Sequence, residues 1–350
     1  MAIGLDIGTS AVRAAEVTQR GRGAGALTAF GQVALPQGAV VDGEIRDQGA
    51  VSNAIGQLWK RAKLNKRRPA VIGVANQRVV VRQVDLPYLE EKEFRSSLQY
   101  QVADHIPMPV ETAELDFQII DEYVTEGQER MMRVLLVAAA TDMVESFVSA
   151  ASVAGVTPAG VDLTPFAVAR AVSPAARGEQ GIAGAEAVID VGAGITNIII
   201  HHNGEARFVR ILLVGGDDTT SALSTGLNVS FEDAEAMKLD LGRGVGSPEA
   251  QRVLTQRVDA LVEEIRGSLD YYVSQEDSDP VSSVILTGGG SLTPGLGQRL
   301  EQTIRIPVQR GAPLSQLDTS KSGLTDEQVA HIEPVATAAV GLALGGLSKR

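Results

Sequence analysis

The chain carries one phrase twice. It begins "MAIGLDIGTSAVRAAEV", and from Ala187 it continues "AVIDVGAGITNIII". Each phrase is a β-rich run ending in Asp-X-Gly, then small or hydroxylated residues, then a second β-rich run. Strand, tight turn and strand make a hairpin, so the fold must seat two related hairpins, one in each half of the chain.

A length of 350 residues suits two domains or one large bilobed unit. With 44% hydrophobic and 21% charged residues, both signs interspersed, the chain reads as globular. A net charge of −12 disfavours nucleic acid and, at long range, anionic lipid. The 4% aromatic content weakens any case for base stacking. The chain has no cysteine, which excludes disulfides, thiol catalysis and thiolate zinc sites and suits a reducing cytoplasm. Asp6 falls where a signal peptide would need apolar residues, so export by that route is not expected. "VATAAVGLALGGL" (335–347) is shorter than the roughly 20 residues of a membrane span and is expected to be a buried helix.

Residues 3–7 and 10–17 predict the first hairpin. Val51, Ile55, Leu58 and Ala62 predict a helix over 50–64 that runs into the basic "KRAKLNKRR" and stops at Pro69, with a strand at 70–75. Phe94, Leu98, Val102 and Ile106 share a helical face ended by Pro107 and Pro109. "ELDFQIIDEYV" and "RMMRVLLVAAA" read as strands around a polar turn. Asp142 and Glu145 are spaced as a capping box for a helix carrying Val144, Phe147 and Val148 and ending at Gly155. Together these form a compact α+β insert at 78–154. Beyond the second phrase, Asn203-Gly204 marks a two-residue hairpin turn. His201 and His202 flank it on opposite strand faces, which makes them poor co-ligands for a metal. Ser230 or Asp233 starts one helix, another begins near Pro294, and the last spans Ala336 to Leu347.

The chemistry suggested by the repeat is phosphate binding. A nucleotide needs backbone N–H groups aimed at its oxygens and a way to hold a divalent cation. Gly8, Thr9 and Ser10 offer the first and Asp6 a carboxylate beside them. Tight turns select the same residues for structural reasons, so one copy alone specifies little. In the second half Asp190, Gly192, Ala193, Gly194 and Thr196 form a turn of the same kind, and two facing turns would grip a phosphate chain from both sides. Asp6 and Asp190 would then share Mg²⁺, usually through water. Gly288, Gly289 and Gly290 let a ring or ribose approach the backbone. Gly215 and Gly216 lie on the same side. Glu235 and Lys238 are spaced to reach adenine or ribose, or to form an exposed ion pair. No Gly-X-X-X-X-Gly-Lys-Ser/Thr run appears, so the site is of another kind.

In order, "GLDIGTSAVR", "VDLTPFAVARAV", "VIDVGAGITNIII", "VILTGGGSLTPGL" and "PVATAAVGLALGG" resemble the phosphate 1, connect 1, phosphate 2, adenosine and connect 2 segments of the actin, sugar kinase and Hsp70 superfamily. "LPYLEEKEF", "LQYQVADHIPMP", "EDAEAMKLDLG" and "AAATDMVESFVSAASVAGVTPAGVDLTPFAVARA" look like the PilM family of type IV pilus assembly. The resemblance implies an α/β, actin-like (ribonuclease H-like) two-lobed ATPase fold with an insert subdomain as in the division protein FtsA. It places lobe 1 at 1–170, lobe 2 at 171–332 with a small subdomain at about 215–280, and a helix returning to lobe 1 at 333–350. It further implies ATP and Mg²⁺ between the lobes, with Leu292 beside the adenosine glycines. A groove beside the insert is expected to take the N-terminal tail of a PilN-like inner-membrane protein. Other pilus components and self-association are further implied contacts, at the inner face of the cytoplasmic membrane and without membrane insertion. FtsA carries a membrane helix after the terminal helix; here only "SKR" follows.

The pattern departs from the family at Gly194 and Ile195, where a side-chain hydroxyl is often present. Asp162, in the connect 1 segment, is the nearest acid to position an attacking water, or else simply begins a helix. The functions implied are a nucleotide-dependent assembly module with slow turnover at most, an FtsA-like filament protein, or a small-molecule kinase. A kinase needs a polar sugar pocket, and the single tryptophan, Trp59, sits instead on an apolar helical face.

Overall fold

A computed structural model describes residues 1–19, 25–276 and 278–348; the closing Lys349 and Arg350, part of the expected terminal segment, lie outside the described residues. The first hairpin is β1 (Ala2–Ile7) and β2 (Ala11–Thr18), paired antiparallel as the turn residues require. β3 (Ala26–Ala34), a small hairpin of β4 (Val40–Val41) and β5 (Glu44–Ile45), α1 (Gln48–Arg61) and β6 (Ala70–Val74) follow. Asp47 caps α1 by accepting from Ala50 N–H at 2.9 Å. The helix ends well before Pro69. Lys63 turns the chain at φ 53°, and the next residue, Leu64, is buried in the core, so the stop is made by packing and not by the proline.

The insert is a three-stranded antiparallel sheet, β7 (Val79–Pro87), β9 (Arg130–Ala140) and β8 (Ala113–Val124) in that spatial order, with α2 (Glu91–Val102) across one face. It has a core of its own around Phe94, whose ring meets Phe117 edge-on at 4.7 Å. Ile106 joins that core from beyond a tight turn at Ala103–His105, so the predicted helix is one turn too long. α3 (Thr141–Val153) has no side-chain cap. Asp142 pairs with Arg78 instead of closing a capping box, and Met143, Phe147, Ala150 and Ala151 enter the first lobe's core with α1. The separately cored unit therefore ends near Ala140, short of the expected 154.

β10 (Pro158–Leu163) and α4 (Thr164–Val172) complete this half, giving a sheet of order β10-β6-β1-β2-β3. The other half is β11 (Ala185–Val191), β12 (Thr196–His202), β13 (Glu205–Leu212), α5 (Gly216–Leu227), α6 (Phe231–Leu241), α7 (Pro248–Val273), β14 (Val281–Thr287), α8 (Leu296–Ile304) and β15 (Val308–Arg310). Its sheet runs β13-β12-β11-β14-β15. Reversed, that is the first sheet's order, with two antiparallel pairings on one side of the central strand and two parallel ones on the other. The repeated phrase is thus the visible part of a repeated sheet. Ser230 caps α6, the first of the two residues predicted for that role. Asn203 and Gly204 both take positive φ, as their hairpin demands.

α9 (Asp326–Ile332) leads to α10 (Thr337–Ser348), which packs on β1 and on α4. Gly341 makes that crossing possible: a Cβ there would lie 1.8 Å from the Ala167 carbonyl oxygen. Among the described residues no single helix is long and apolar enough to cross a membrane; 326–335 and 337–347 meet the composition only as a pair bent by 85°.

Candidate functional site

The two hairpin turns meet in one cleft between the sheets. A Cβ on Gly194 would sit 3.0 Å from Thr9 Oγ1, so the bare glycine that looks in sequence like a lost hydroxyl is what lets the turns close on each other. In the first turn Gly8 N–H donates to Ala11 C=O at 3.1 Å, holding Thr9 and Ser10 at the cleft. In the second, the Gly192 and Ala193 carbonyls accept the Gly216 and Asp217 N–H groups at 3.0 and 2.8 Å. The first amides of α5 are therefore spent on holding the second turn.

Asp6 and Asp190 end their strands at this junction. Burial raises the Asp6 carboxyl above its usual range, against the pull of Arg13. Asp190 is pushed up to about 6, first by burial and then by the Asp6 charge, against the Asn197 hydrogen bond and the Arg13 charge. Arg13 Nη1 stands 3.6 Å from Asp6, and Asn197 Nδ2 donates to Asp190 at 3.1 Å. Neither partner was singled out in the sequence. Yet each is its aspartate's cross-strand neighbour, so counting across the turn finds both.

The glycine run after β14 packs directly behind the second turn. Gly288 has φ 88°, and a Cβ there would meet Asp190 Oδ1 at 2.5 Å; one on Gly290 would meet the Gly192 oxygen at 2.5 Å. Gly288, Gly289, Gly290 and Gly216 all line the cleft, as do Thr337 and Ala338 from α10. Lys238 and Glu235 also reach it, but not as an exposed pair. Lys238 is 7% exposed, and its ammonium holds Glu235 and Thr220 at 2.7 Å and the Gly216 carbonyl at 3.2 Å.

Several expected residues are elsewhere. Thr196 is buried and donates to the Val214 carbonyl at 2.8 Å, so its hydroxyl is not free for a ligand. Gly194 and Gly215 pack within the turns behind the cleft wall. Leu292 is 46% exposed and lies outside the cleft. Asp162 stays within β10, bound to Arg170 at 3.0 Å, and lines a different cavity. It neither begins a helix nor faces the turns. His201 is buried against Glu186 and His202 pairs with Asp279, which puts the two on different partners.

The residues present fit a magnesium nucleotide. Two buried carboxylates with raised proton affinity are relieved by a cation. Arg13 Nε and Asn197 Oδ1 are buried without partners. Among the described residues no three metal-ligating side chains gather, so a cation here needs water and phosphate oxygens to complete its shell.

Two lobes of matching strand order that meet at paired Asp-X-Gly turns define an actin-like protein. The likeness extends to MreB5 of Spiroplasma citri solved with ADP, with a TM-score of 0.57 and 12% identity over 99% of this chain and 96% of that one. The family model for the type IV pilus assembly protein PilM matches residues 4–347, and the chain belongs to that family. A solved PilM-PilN type IV pilus biogenesis complex superposes with a TM-score of 0.84 at 27% identity, covering 99% of this chain and 98% of that one. The FtsA division protein of Pseudomonas aeruginosa is 25% identical over all of this chain and 90% of its own length. That of Streptococcus pneumoniae is 24% identical over 94% of this chain and 78% of its own.

Proposed function

We propose that this chain is a nucleotide-controlled assembly module of a type IV pilus machine. Mg²⁺ and ATP occupy the cleft, and a PilN-like inner-membrane protein docks its N-terminal tail in a groove under the insert. The observation that carries the nucleotide half is the contact of Thr9 with Gly194, which brings Asp6 and Asp190 to one point. Asp6 and Asp190 would hold the water shell of Mg²⁺, and Arg13 with the Gly8 turn the phosphate oxygens. Gly288 to Gly290 would leave room for the nucleoside. Bound Mg²⁺ supplies charge neutralisation of the phosphates. Asp162, the acid expected to position a water, is committed to Arg170, which supports a nucleotide acting as a ligand with slow turnover at most.

The groove, about 570 Å³, lies between β8 and β10, each the outermost strand of its sheet. Leu115, Phe117, Val161, Leu163 and Phe166 give it apolar walls, and Glu114 and Asp116 are exposed along its rim. An extended apolar segment with a basic residue fits both features. The similar PilM protein was solved with PilN, which supports a tail of that kind as occupant. Such docking would hold the protein at the inner face of the cytoplasmic membrane with other pilus components. Thr337 and Ala338 of α10 line the cleft while Gly345 lines the groove, so one helix touches both sites and gives the lobes a way to couple them.

The test is a titration with the first dozen residues of the PilN-like partner, with and without Mg-ATP. Affinity that differs between the two is expected, and no binding in either overturns the assembly role. Asp6→Ala and Asp190→Ala are each expected to abolish magnesium-dependent nucleotide binding; unchanged affinity in both refutes the cleft assignment. The second reading, a filament-forming protein of the FtsA kind, is tested by sedimentation with Mg-ATP.

A further inference from the structure

We propose that the turn between α1 and β6 is a docking surface for anionic phospholipid headgroups. Lys60, Arg61, Lys63, Lys66 and Arg67 are all exposed there. Among the described residues none of the five takes part in an ion pair, and only the next residue, Arg68, approaches a carboxylate, Glu16 at 3.9 Å. Elsewhere Arg78, Arg130, Arg177, Arg207 and Arg299 each hold an acidic partner, and the exposed cations without one, such as Arg82, Lys92, Arg257 and Lys321, are spread through the sequence. A chain of net charge −12 thus gathers a group of unneutralised cations at this turn.

The turn is held rigid. Leu64 is buried at its centre, Asn65 Oδ1 accepts from Arg67 N–H at 2.9 Å, and the Asn65 carbonyl accepts from Arg68 N–H at 3.0 Å. Lys66 Nζ lies 3.8 Å from where a Cβ on Gly155 would be, and Val153, just before it on α3, is 71% exposed. Cations around an exposed aliphatic side chain suit a headgroup layer better than open water. The net negative charge does not prevent this, because at physiological salt charges beyond about 8 Å are screened while the local cations are not.

Position singles out lipid over an acidic protein. The turn leads into β6, and β10 starts beside it with Pro158 opposite Ala70. The groove proposed for the membrane partner's tail follows that same β10 edge from Val161 onward. A tail that leaves a bilayer and enters the groove would bring this turn to the headgroups. The choice of lipid rests on the proposed membrane-partner reading, whereas the binding itself needs no partner.

The experiment is co-sedimentation of the full chain with phosphatidylcholine vesicles, with and without 30% phosphatidylglycerol, at low and high salt. The expected result is binding only to the anionic vesicles, lost at high salt, and weakened about tenfold or more by Lys66→Glu/Arg67→Glu. Both positions are exposed, and an unchanged melting curve checks that the variant folds. Wild-type protein that ignores anionic vesicles overturns the proposal, as does binding that survives the charge reversal. If the variant loses a protein partner while vesicle binding stays unchanged, the surface recognises acidic protein and the proposal fails. Failure of the tail peptide to bind, with vesicle binding intact, would sink the partner reading alone.

Discussion

Gly56 and Gly341 both lie inside α-helices, and replacing each by alanine should have opposite effects. In α1 nothing stands within 4 Å of a Cβ built on Gly56. Alanine there gains helix propensity, about 0.5–1 kcal/mol. In α10 the same Cβ would lie 1.8 Å from the Ala167 carbonyl oxygen and 2.4 Å from its carbon, both backbone atoms of α4. Ordinary carbon contacts sit near 3.5 Å, so the helices must part by well over an ångström. Overpacking against a backbone costs about 3 kcal/mol or more, and the propensity gain offsets roughly 1. A net loss of about 2–3 kcal/mol corresponds to a fall in Tm of roughly 5–10 °C for a cooperative unit of this size. Parallel thermal melts of Gly56→Ala, Gly341→Ala and the wild type measure both signs. Should Gly341→Ala melt at or above the wild type while Gly56→Ala rises, the close crossing of α10 over α4 is wrong. A second readout follows from geometry: α10 carries Thr337 into the cleft, so the Gly341 variant should also bind Mg-ATP less tightly.

Asp190 predicts a pH dependence. Its carboxyl binds a proton more tightly folded, at about 6, than at its ordinary 3.8, so stability is fully present below 3.8 and is lost as pH rises through 6. The gap amounts to about 3 kcal/mol at neutral pH. Asp190→Asn should flatten that slope and be the more stable protein above pH 6, and equal slopes in denaturation between pH 4 and 8 would contradict it. Arg13→Met removes a half-buried cation with an unpartnered Nε and should weaken nucleotide binding by about ten- to a hundredfold, read by calorimetry. Leu292→Ala, outside the cleft, should leave that affinity unchanged.

What the sequence made legible was local. The hairpins at Gly8 and at Asn203-Gly204, the face of Phe94, Leu98 and Val102, and the burial of Trp59 follow from turn chemistry and periodicity within a few residues. The site residues that went astray depend on contacts between distant segments. Gly194 is bare because Thr9 needs its space, Thr196 is turned to Val214, and Lys238 is drawn inward by Gly216 and Thr220. Asp162 is claimed by Arg170, whose guanidinium also reaches Gly341. Composition and spacing carry no record of such partners. Arg13 and Asn197 are the intermediate case, since strand register alone points to them.

The packing of α10 against β1 also bears on synthesis. The helix that covers the first strand starts at Thr337, far downstream of Ala2, and at roughly 5–20 residues per second that strand waits on the order of half a minute for its cover. The second sheet and its helices, from Ala185 to Arg310, are complete before α10 appears. The later sheet can therefore form before α10 closes over β1 and β2, which stay partly uncovered until that helix is made.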